Sequence, residues 1–108
     1  MTAALGTLAF LANIRIGLPA VAYYGGRIVD SIDEPLRAPM VFHFGADDAG
    51  IPPEAIAKIE RAYPQAPVHV YPGAGHAFNR DIDPSHYHAD SAALALRRTL
   101  DFFAAALA

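Results

Sequence analysis

At 108 residues the chain is large enough for one small domain and no more. Apolar residues make up 54% and charged residues 18%, which excludes a disordered tail, because enough apolar surface is present to offset chain entropy. Eight basic against eleven acidic side chains leave a net charge of −3, so no basic face for nucleic acid is implied. With no cysteine, the chain holds no disulfide, thiolate zinc site or thiol nucleophile of its own.

The first segment, Met1 to Gly17, is apolar, but Arg15 follows the apolar run and no basic stretch precedes it. A secretory signal has the opposite order, and the run is too short to span a bilayer. A buried or amphipathic helix is expected there, in a soluble cytoplasmic protein with no membrane partner. Its clearest part is Thr7 to Arg15, with Leu8, Leu11 and Ala12 at helical spacing, and Pro19 forbids continuation past Gly17. Pro19 to Tyr24 reads as a buried strand closed by Gly25-Gly26. Arg27 to Arg37 is polar, broken by Pro35, and reads as loop with one short turn.

Pro39 to Phe44 is a second strand, closing on Gly45-Ala46-Asp47-Asp48. Pro52-Pro53-Glu54 opens a helix to about Tyr63, since proline suits the first turn and glutamate the positive end of the helix dipole. Val68 to Tyr71 is a third strand, followed by the turn Pro72-Gly73-Ala74-Gly75. The last helix runs from His88 or Ala89 to Ala106, with Ala93, Leu94, Leu96, Leu100, Phe103 and Leu107 as its expected apolar face. Helices alternating with near-continuous apolar strands specify an α/β fold with a parallel sheet. Three strands are few for such a sheet, so an unprotected edge and self-association through it are expected.

In an open parallel sheet, ligands sit beyond the carboxyl ends of the strands. Two polar sequences stand there, Gly45 to Pro52 and Gly73 to Phe78. An acid and then a histidine at consecutive strand ends can lie side by side, the carboxylate fixing the imidazole tautomer while the other ring nitrogen acts as general base.

Several collinear stretches resemble the C-terminal part of the dienelactone hydrolase family: Leu8 to Arg15, Tyr23-Tyr24-Gly25-Gly26, Asp48 to Pro52, Tyr71 to Phe78, and Tyr87 through Phe103. The resemblance implies the C-terminal half of an α/β-hydrolase fold over residues 1–108 and a Cys-Asp-His triad acting on small esters or lactones without a cofactor. In the family pattern the acid lies three residues before an Ile/Val-Pro pair, which selects Asp48 over Asp47. The triad histidine falls on His76. A basic residue four positions later, here Arg80, binds the substrate carboxylate in some members, and Tyr24 is expected in the pocket wall. The family elbow reads G-x-C-x-G-G, and an ungapped count back from Gly6 puts Ala3 on the nucleophile. Alanine has no nucleophilic atom, and the strands that precede the elbow have no counterpart in this sequence, so truncation is expected.

Each site residue also has a purely structural reading. Asp48 suits a turn, bonding its own backbone two residues on. His76 suits an exposed loop. Arg80 has Asp81 and Asp83 as local partners. Ser31 lacks flanking glycines, and Ser85 and Ser91 sit where hydroxyls cap helices, so none is expected to replace the nucleophile. His76, Asp81, Asp83, His86, His88 and Asp90 are of metal-ligating type, yet they lie in a segment expected to be solvated loop entering a helix, and no metal site is expected. His43 and His69, inside apolar strands, are expected to be buried and hydrogen-bonded.

Overall fold

The computed structural model describes residues 2–23, 28–48, 50–75 and 88–107. Helix α1 (Thr2–Ile16) leads into strand β1 (Ala20–Tyr23), a short 3-10 turn (Ile28–Ser31), β2 (Met40–Gly45), α2 (Pro53–Ala62), β3 (Val68–Tyr71) and α3 (Ala89–Ala106). The strands form one parallel sheet in the order β1-β2-β3, with Tyr23 beside His43 and His43 beside His69. The α/β fold read from the sequence is therefore the fold observed.

Local chemistry sets the element ends. Gly17, at φ 72°, closes α1 by donating its N–H to the Asn13 carbonyl, the left-handed cap that glycine adopts without a Cβ penalty. Pro53 occupies the first turn of α2, where no intrahelical partner is needed for its missing N–H. Asn13, fully buried, was not singled out by the sequence. Its Nδ2 donates to the carbonyls of Ala38 (2.9 Å) and Pro39 (3.0 Å), and its Oδ1 accepts from Arg37 N (3.0 Å). That amide ties α1 to the entry of β2.

Central strand β2 is buried at all six positions, so its two faces meet two different layers. On one side Met40, Phe42 and Phe44 join Phe10 and Ile14 of α1 and Ile56 and Ile59 of α2. Phe42 lies 6.0 Å from Phe10 and 6.2 Å from Tyr63 between ring centroids, within the range of favourable aromatic packing. On the other side His43 meets α3.

The face that α3 buries is not the one its leucines mark. Leu94, Leu96, Leu100 and Leu107 are exposed, whereas Ser91, Ala92 and Ala95 are buried and Arg98, Thr99, Phe102 and Phe103 half-buried. Small residues bring the helix close to a sheet surface that presents histidine and tyrosine, and Thr99 can bond that surface where leucine cannot. No helix among the described residues is long and apolar enough to cross a membrane.

Candidate active site

The carboxyl end of β2 delivers the acidic loop. Asp47 is exposed, and Asp48 beside it is only 5% exposed. The Gly50 N–H donates to Asp48 Oδ1 at 2.9 Å, and the Ile51 N–H to the Asp48 carbonyl at 3.2 Å. Asp48 thus makes the side-chain-to-backbone turn that its structural reading required. Its burial also separates it from Asp47.

The carboxyl end of β3 turns through Tyr71-Pro72-Gly73-Ala74. Ala74 N–H donates to the Tyr71 carbonyl at 3.2 Å, and Gly73 has φ 76°, the conformation a proline-glycine turn of this kind requires. This turn is seated directly on the acidic loop: Ala46 N–H donates to the Tyr71 carbonyl (2.9 Å) and Asp47 N–H to the Ala74 carbonyl (2.9 Å). Gly45 permits the approach. A Cβ there would fall on the carbonyl oxygen of Ala74 and come within 2.6 Å of that of Gly75. The sequence offered Gly45 only as a strand end, and its role as the contact point of two loops depends on pairing distant in sequence.

His76, the residue after Gly75, lies outside the described residues, as do Tyr24 and Arg80 and the Asp81, Asp83 and His86 of the polar cluster. His88 is described, and its Nδ1 accepts from Ser91 N at 3.3 Å as the N-cap of α3. The cap is thus the imidazole, and Ser91, expected as a capping hydroxyl, instead lies buried in the first turn. Among the described residues no group of three or more His, Cys, Asp or Glu could hold a metal ion.

Beneath the two loops, on the α3 side, lies a buried polar layer. The His43 ring stacks on Tyr23 (4.6 Å between centroids) and on His69 (5.4 Å). Its Nδ1 is 2.8 Å from the Tyr71 hydroxyl and its Nε2 3.1 Å from Thr99 Oγ1, which is also 2.8 Å from the Tyr23 hydroxyl. The Arg98 guanidinium stands 5.5 Å from the Tyr71 ring centre. Burial first, then His69 and Arg98, lower the His43 pKa to about 3, so the imidazole is neutral at ordinary pH. A neutral ring has one donor and one acceptor nitrogen. With the proton on Nε2, it donates to Thr99 and accepts from the Tyr71 hydroxyl, satisfying both contacts. His43 is buried and hydrogen-bonded as expected, and His69 is half-buried, with its pKa lowered by burial and by Arg98.

The architecture is a parallel sheet covered by helices, with polar loops at successive strand ends, where ligands sit in open sheets of this kind. The sequence model of the dienelactone hydrolase family matches residues 6–107, and the chain belongs to that family. It is 36% identical over 105 residues to the carboxymethylenebutenolidase of Pseudomonas putida, covering 92% of this chain and 44% of that protein. It is 39% identical over 98 residues to the "Putative carboxymethylenebutenolidase" of Escherichia coli K12, covering 78% of this chain and 36% of that protein. The crystal structure of "Putative Dienelactone Hydrolase" from Klebsiella pneumoniae superposes with a TM-score of 0.78 at 31% identity, over 92% of this chain and 48% of that one. The chain spans less than half the length of each of these three proteins.

Proposed function

We propose that this chain carries the acid and histidine of a dienelactone-hydrolase-type triad acting on small esters or lactones, and lacks the nucleophile of that triad. The observation that carries the reading is the buried carboxyl of Asp48, in a loop seated on the turn that leads directly to His76. Relatives named carboxymethylenebutenolidase support the substrate class. In this mechanism a thiol supplied from outside these 108 residues attacks the carbonyl carbon as His76 removes its proton. Asp48 fixes the imidazole tautomer and stabilises the imidazolium that forms. The tetrahedral intermediate collapses with protonation of the leaving alkoxide by His76, and water, deprotonated by His76 in turn, releases the acyl group. Arg80 would hold a substrate carboxylate as a bidentate partner, with Tyr24 in the pocket wall. The chemistry needs no cofactor.

A second reading, a catalytically silent interaction or relic module, is favoured by Ala3 at the position aligned with the nucleophile. Hydrolysis of an aryl ester separates the two. The triad reading expects no turnover above background from the chain alone. Turnover should appear when a separately expressed N-terminal half bearing an elbow cysteine is added, and should be abolished by His76→Ala. Failure of a complex that forms to turn over would leave the silent module. Self-association through β1, an edge strand among the described residues, belongs to the same proposal, and light scattering of the purified chain tests it: a monomer at all concentrations removes it.

A further inference from the structure

His43 has no part in the mechanism above, yet it is a fully buried imidazole in the strand that delivers Asp48. Its two nitrogens reach two different elements, Tyr71 at the end of β3 and Thr99 on α3. Tyr71 is also the residue whose carbonyl receives Ala46 N from the acidic loop and Ala74 N from its own turn. A continuous line of bonds therefore runs from α3, through Thr99, His43 and Tyr71, to the contact between the two loops. A buried imidazole between two aromatic strand positions is a costly choice for packing alone, since an apolar ring would need no partners.

We propose that His43 is a positioning residue: through Tyr71 and Thr99 it holds the Asp48 loop and the turn preceding His76 in one fixed arrangement. The proposal rests on the Asp48–His76 reading for its functional meaning, but the loop contact itself is measurable without it. Among the described residues, the groups facing the imidazole are Tyr23 from β1, His69 and Tyr71 from β3, and Thr99 and Arg98 from α3. None is a carboxylate, so nothing among them favours a charged ring, and a neutral imidazole is what lets Nδ1 accept from the Tyr71 hydroxyl.

The test compares the wild-type chain with Tyr71→Phe, Thr99→Val and Thr99→Ser by amide hydrogen exchange and histidine titration in NMR. Tyr71→Phe and Thr99→Val should accelerate exchange at Ala46 and Asp47 by about tenfold relative to Phe42 and Phe44, the scale of one lost hydrogen bond. Thr99→Ser, which keeps the hydroxyl, should leave that ratio at the wild-type value. Uniform acceleration along all of β2, or none, would overturn the proposal, because a merely structural role destabilises the strand as a unit. The titration arm reads the functional link. Asp48→Asn should lower the His76 pKa if the two residues are paired, and Tyr71→Phe should then lower it in the same direction. A shift with Asp48→Asn and none with Tyr71→Phe overturns positioning at the triad. No shift with Asp48→Asn instead defeats the triad reading, while the exchange ratios still decide whether His43 holds the loops.

Discussion

The two faces of the sheet are built on opposite principles. Toward α1 and α2 the strands present Phe42 and Phe44, which meet Phe10, Ile59 and Tyr63 in a layer held by apolar burial. Toward α3 they present Tyr23, His43, His69 and Tyr71, with Thr99 bonded to Tyr23 and His43, Tyr71 bonded to His43, and Arg98 over the Tyr71 ring. The first arrangement tolerates small shifts, since dispersion contacts are many and non-directional. The second has directional bonds and fixes the strand ends in angle and register. One face is thus held by apolar burial and the other by directional bonds.

Acid separates the two faces most strongly. His43 titrates near 6.5 in the unfolded chain and about 3 in the native one, so the unfolded state binds the extra proton between those values. Its contribution is present above pH 6.5 and is lost as pH falls toward 3, with a ceiling of about 5 kcal/mol. Denaturant unfolding across that range should show the slope, and His43→Phe should flatten it. A slope unchanged in the variant would assign the acid sensitivity to other groups.

On the apolar face, Phe42→Ala should cost about 3–5 kcal/mol with no change in pH dependence, because the ring is fully buried and its loss leaves a cavity without removing a titratable group. Unfolding curves at pH 7 and pH 5 check both halves of that statement. Asn13→Ala should cost about 1–3 kcal/mol, leaving the carbonyls of Ala38 and Pro39 and the N–H of Arg37 without their side-chain partner. The smallest effect is expected at the surface: Arg15 and Glu34 form a bidentate pair at 2.8 and 2.9 Å, yet the Arg15 side chain is 56% exposed. Glu34→Gln should change the thermal midpoint by an amount corresponding to about 1 kcal/mol or less, diminishing further in salt.

Most of the element pattern was legible along the chain because its causes are local. Prolines at 52 and 53, glycine at 17 and the apolar runs of β1, β2 and β3 each act within a few residues. Asp48 was singled out by its place before Ile51-Pro52, whereas its burial beside an exposed Asp47 appears only in the fold. The buried face of α3 differs from the one its leucine spacing predicts. Leucine periodicity marks one face, but a helix lying over histidine and tyrosine buries alanine and serine and turns Thr99 toward the sheet.

The sequence by itself determined the alternation of helices and strands, the parallel sheet and the family. Each is written in spacing or in a contiguous motif. Only the tertiary structure decided that Gly45 is the contact point of two loops, that Asn13 ties α1 to β2, and that His43 is bonded between β3 and α3. Those roles join residues 24 to 56 positions apart, and hydrogen-bond geometry over such separations is fixed by packing rather than by neighbours in the chain.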